Sequence, residues 1–119
     1  MTKRLLFLVR GLPRAGALAN ETLDLLLVAA AFDLRPTVLF MGEAVFQLLP
    51  SLGDASSGVR DVGRAYSALP TYDVDRVFVE ADPIARYGLD PSAFTIRSEV
   101  LDADGIRALI AAHDVVFTG

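Results

Sequence analysis

Apolar positions in this chain fall into short continuous runs separated by longer helical stripes. Arg4–Val9, Thr37–Met41 and Arg76–Glu80 are short runs rich in β-branched and aromatic residues, which predicts buried strands. The first is apolar at odd and even positions alike, as in the middle of a sheet covered on both faces. Between them, Ala17–Phe32 predicts a helix, with Leu23, Leu26, Leu27, Ala30 and Ala31 on one face. Leu25, Val28 and Phe32 make the other side apolar too, so this helix needs cover on two sides: the sheet and a neighbouring subunit. Further on, Arg60–Leu69 reads as a modest helix stopped by Pro70, and Ala81–Tyr87 as a short one ended by Gly88. Asp82 is the expected N-cap of the latter, with Pro83 in its first position. Phe94–Ile96 predicts a brief strand, Asp102 caps a helix over Ala103–Ala112, and Asp114–Thr118 predicts the last strand. Alternating strands and helices imply an α/β three-layer sandwich with a mostly parallel sheet of about five strands.

The stretch from Pro36 to Pro50 organises the rest. Its strand runs into Gly42, where a sharp turn calls for positive φ, and then into a short helix with Glu43 in its first turn. Ala44, Val45, Leu48 and Leu49 are its apolar face. In open parallel sheets ligands and partners meet the carboxyl ends of strands, so Gly42, Glu43 and Glu80 mark the expected working edge. A helix this short buries one face only, which leaves Phe46 and Gln47 pointing outward as candidate subunit contacts beside Phe40, Met41, Glu43 and Leu48.

Composition narrows the chemistry. The net charge is −4 and basic residues are scattered, so the chain has no phosphate-binding footprint for direct nucleic-acid contact. The longest uncharged apolar run, Leu25–Phe32, falls far short of the roughly 20 residues of a membrane helix. The chain is therefore expected to be a cytoplasmic protein without membrane contact. A hydrophobic fraction of 53% is more than one small domain hides alone, which predicts an oligomer. Cysteine is absent, which excludes disulfides, thiolate metal sites and any persulfide carried by this chain.

No motif points to a catalytic centre, cofactor or metal. Gly11–Gly16 follows a strand but lacks the Lys-Ser/Thr ending of a phosphate loop and the dinucleotide glycine spacing. The serines fit no nucleophile elbow, and Ser51–Gly58 reads as a surface loop. His113 is the only histidine, at a helix end where imidazole meets exposed carbonyls. Asp73-Val-Asp75 reads as a turn. Glu43, Glu80 and Asp82 follow neighbouring strands and could meet as cation ligands or an acid–base pair, although acids at helix starts are common capping features.

Phe-Met-Gly-Glu43 running into Ala-Val-Phe-Gln-Leu-Leu-Pro50, with Arg60-Asp61, Tyr72-Asp73 before a strand and Arg86-Tyr-Gly-Leu-Asp90, resembles the TusC/DsrF subunits of the DsrE-like sulfur-relay family. The resemblance covers nearly the whole chain and implies one DsrE-like domain over residues 1–119. In catalytic relatives the sulfur-carrying cysteine sits at the end of the third strand; the resemblance puts Glu80 there, a vacated sulfur-carrier position. It further implies a non-catalytic structural subunit of a TusBCD-like hetero-hexamer with TusB-like and TusD-like subunits. A TusA-like donor and a TusE-like acceptor would act at the level of the complex, in support of tRNA wobble-uridine 2-thiolation. Two alternatives stand beside it: a DsrF-like subunit of a DsrEFH complex in dissimilatory sulfur oxidation, and a homo-oligomeric protein binding a small ligand at the carboxyl edge. A hydrolase or transferase using the edge acids is a third.

Overall fold

A computed structural model of the protein describes residues 3–10, 17–49 and 66–118. The expected turn at Gly11–Gly16, the loop at Ser51–Gly58, Pro50, the side chain of Leu23 and most of the expected helix Arg60–Leu69 lie outside the described residues.

Five strands form one sheet: β1 (Leu5–Arg10), β2 (Thr37–Met41), β3 (Val77–Glu80), β4 (Glu99–Leu101) and β5 (Val115–Thr118), in the order β4-β3-β2-β1-β5. Every pairing is parallel, with Leu6 beside Thr37, Val38 beside Val77, Phe78 beside Glu99 and Leu5 beside Val115. The chain steps outward from β1 to β4, then crosses back to place β5 on the far side of β1. That reversal puts the helices on both faces.

On one face, α1 (Ala17–Ala31) presses Leu26, Ala29 and Ala30 onto Phe7, Val9, Val38, Phe40, Val77 and Val79. Ala44, Val45, Leu48, Tyr66, Leu69, Val74 and Ile96 complete that core, and α2 (Ala81–Tyr87) adds Ile84 at its margin. On the other face, Ile106 and Leu109 of α3 (Ala103–Ala111) cover Leu6, Leu8 and Leu39. Odd and even strand positions are thus both buried, the reason the first strand is apolar throughout. The outer side of α1 is uncovered: Leu25 is 48%, Val28 53% and Phe32 75% exposed.

Three local expectations are corrected. Phe94–Ile96 is a bend, and the strand lies later, at Glu99–Leu101. Ile96 is buried in the first core and the Thr95 N–H donates to the Leu48 carbonyl at 2.7 Å, so this apolar stretch packs without pairing to a strand. The segment after β2 is a 3-10 helix over Gly42–Leu48, with Gly42 at φ 56° as expected of the turn. The N-cap of α2 is Glu80, and Asp82 instead forms an (i, i+4) ion pair with Arg86 at 3.0 Å. Asp102 does cap α3, accepting from the Gly105 N–H at 2.8 Å.

Candidate functional site

The register places Val79 beside Phe40, so the carboxyl ends of β2 and β3 finish side by side. Glu80 turns its side chain across that gap, and its Oε1 accepts from the Gly42 N–H at 2.9 Å. On the sequence, Glu80 reads as a working-edge acid at the vacated sulfur-carrier position, or as a cap of the following helix. It makes no side-chain cap to α2; it clasps the turn after the neighbouring strand. A carboxylate suits that place, because the turn's amide has no strand partner of its own.

The clasp fixes the direction in which the Gly42–Leu48 segment leaves the sheet. Ala44, Val45 and Leu48 then fall inside, fully buried. Glu43 is exposed, and Met41, Phe46 and Gln47 are half-buried. Phe46 lays its ring against Tyr87 of α2, centroids 5.0 Å apart and planes inclined by 57°. Tyr87 is 49% exposed, so the pair forms an aromatic surface beside the strand ends. Tyr87 was not among the expected contact residues, although Arg86-Tyr-Gly-Leu-Asp90 was singled out. Its signal was an aromatic one residue before the glycine that ends α2, where Gly88 adopts φ 62° and α2 stops.

Two of the expected contact residues are corrected by their burial. Phe40 is wholly inside, edge-on to Tyr66 at 4.9 Å, and Leu48 is likewise wholly inside, so neither reaches a partner surface. Met41 leans on the second core. What faces outward at this edge is Glu43, Phe46, Gln47 and Tyr87, on a base set by the Glu80 clasp.

The edge acids do not assemble into a charged centre. Glu80 is bound to Gly42 and Asp82 to Arg86, and among the described residues no three His, Cys, Asp or Glu side chains come together as cation ligands. Asp73 takes a left-handed turn conformation at φ 62°, with its N–H on the Leu69 and Pro70 carbonyls. Asp90 accepts from the Ser92 N–H at 3.0 Å and the Ser92 hydroxyl at 2.7 Å, and these bonds hold its carboxyl below the usual range. His113 does meet a carbonyl, with Nδ1 2.6 Å from Leu109 O, and its Nε2 lies 2.8 Å from the Thr37 hydroxyl. A carbonyl only accepts, so Nδ1 carries the proton there. The ring ties the end of α3 to the start of β2. No helix among the described residues is long and apolar enough to cross a membrane.

Comparison with known proteins agrees with this architecture. The ychN protein from E. coli superposes with a TM-score of 0.79 over 98% of this chain and 99% of its own, at 15% identity, a likeness of fold. The "Protein TusC homolog" of Pseudomonas aeruginosa is 35% identical over 118 residues, covering 99% of both chains. "Protein TusC" of Klebsiella pneumoniae is 34% identical over 115 residues, covering 96% of this chain and 97% of its own. The family model described as DsrE/DsrF-like matches residues 3–118. With a parallel five-stranded sheet, full-length TusC relatives and that match, the chain belongs to the DsrE/DsrF-like family.

Proposed function

We propose that this chain is the non-catalytic structural subunit of a TusBCD-like sulfur-relay complex that supports 2-thiolation of the tRNA wobble uridine. The observation that carries the reading is a full-length likeness to TusC proteins in a chain without cysteine. Sulfur relay passes a persulfide between thiolates, and this chain has none to offer. Its part is therefore positional. One domain spanning residues 1–119 supplies packed surfaces to TusB-like and TusD-like subunits, while a TusA-like donor and a TusE-like acceptor serve the complex. The complex works in the cytoplasm.

Glu43, Phe46, Gln47 and Tyr87 form the contact surface at the carboxyl edge, and the Glu80–Gly42 clasp keeps it in one orientation. Half-exposed aromatics with a polar rim are the composition of subunit contacts. The relatives bear the TusC name, which favours the tRNA branch over a DsrF-like part in sulfur oxidation.

Native mass spectrometry of the tagged protein drawn from its own host tests this. The expected result is a hexamer holding two of each of three small subunits, with persulfide mass on a partner and none on this chain. A self-assembled oligomer without such partners would overturn it.

A further inference from the structure

The amino ends of β3 and β4, on the sheet edge opposite Glu80, hold a depression of about 520 Å³. It is lined by the segment Asp75–Phe78 and the segment Arg97–Glu99. Phe78 is paired with Glu99, so the segments just before them, carrying Arg76 and Arg97, run side by side. Both arginines are exposed, and neither forms an ion pair among the described residues. Arg76 rests over the Phe78 ring, 5.9 Å from its centroid, and the carboxylates of Asp75 and Glu99 on the same rim stay out of ion-pair reach of both. Among the described residues Arg76 and Arg97 thus present two guanidiniums without ion-pair partners on adjacent segments of one rim. Ser98, between Arg97 and Glu99, has a buried hydroxyl without a hydrogen-bond partner. Among the described residues no other buried side-chain polar atom is in that state, and an unmet donor of this kind is costly.

We propose that this depression binds a phosphate-type oxyanion, free or as the end group of a small metabolite. Guanidinium forks from Arg76 and Arg97 match the oxygens of such a group. Asp75 and Glu99 balance the two arginines, so the lining carries no net charge and selects by geometry instead of by field. Long polyanions, which are drawn by field, are thereby disfavoured. The depression is larger than a bare ion, and the rim carboxylates accept from donors on the body of an attached ligand. This site is independent of the relay role.

Isothermal titration calorimetry of the full chain at constant ionic strength tests it, using inorganic phosphate, glycerol phosphate and thiosulfate in separate arms. Saturable binding is expected, weakened about tenfold or more by Arg76→Gln or by Arg97→Gln. Arg107→Gln, whose guanidinium pairs with Asp104 on α3, leaves it unchanged. Tighter binding of glycerol phosphate identifies an ester as the natural source, and tighter binding of thiosulfate identifies a sulfur oxyanion. No saturable binding in any arm, or binding that survives in the Arg76→Gln/Arg97→Gln double variant, overturns the proposal.

Discussion

Glu80 ends β3 with a carboxylate, and its meaning depends on an amide 38 residues away in the chain. Glu80→Ala leaves the Gly42 N–H to solvent, and because this bond is exposed the loss in urea denaturation is expected to be about 1 kcal/mol. Glu80→Gln recovers part of it, since an amide oxygen still accepts. The same Ala variant lowers recovery of partner subunits in co-purification if the clasp orients the contact surface. Tyr66 makes a second residue-scale prediction. Burial raises its phenol from 10.0 to about 12, because the folded chain shields the neutral form and penalises the phenolate. The stability this contributes is complete below pH 10, the unfolded value, and disappears as pH rises through about 12. Denaturation midpoints taken through that window should fall, and Tyr66→Phe should flatten the fall. The acid at the end of β3 was visible in the sequence, but no local pattern names a distant amide as its partner.

Caps separate the helices more sharply than their apolar faces do. Asp102 accepts from Gly105 at the start of α3, so Asp102→Ala is expected to cost about 1 kcal/mol in thermal unfolding. Asp82, which reads like a cap, only meets exposed Arg86 one turn on, and Asp82→Ala should cost no more than about 0.5 kcal/mol. Elements with a strong local signature were legible: β2, α1, α2 and α3 lie within a residue of where the pattern puts them. β4 was not, since Glu99–Leu101 is a three-residue edge strand with a charged start and mostly exposed positions. Phe94 and Ile96 outcompeted it as a pattern, yet they are apolar because they plug the first core. At the carboxyl edge, Glu43, Phe46 and Gln47 were legible as outward positions. Phe40 and Leu48 were misjudged: one belongs to a strand buried on both faces and the other to the apolar face of the segment after it, and the core takes both side chains before a partner could.

Across the whole molecule the unbalanced feature is α1, buried on one side and apolar on the other. A variant with Val28→Lys and Phe32→Gln should keep its thermal midpoint, since both side chains are more than half exposed. It should also reduce self-association of the isolated chain in light scattering, as expected when an uncovered apolar face drives it. Unchanged association would move the sticky surface elsewhere, to the Phe46–Tyr87 edge first. The pairing of β1 with β5 has a kinetic side as well. Leu5 and Val115 are neighbours in the sheet although nearly the whole chain separates them. Loop closure over that distance must come before the seam between them is rewarded, which puts folding in the slow range of non-local topologies, about milliseconds to seconds. Until it closes, β1 presents an open strand edge, a template for unwanted pairing. The time spent in that state, more than the depth of the native well, would set how much chain survives synthesis to meet its partners.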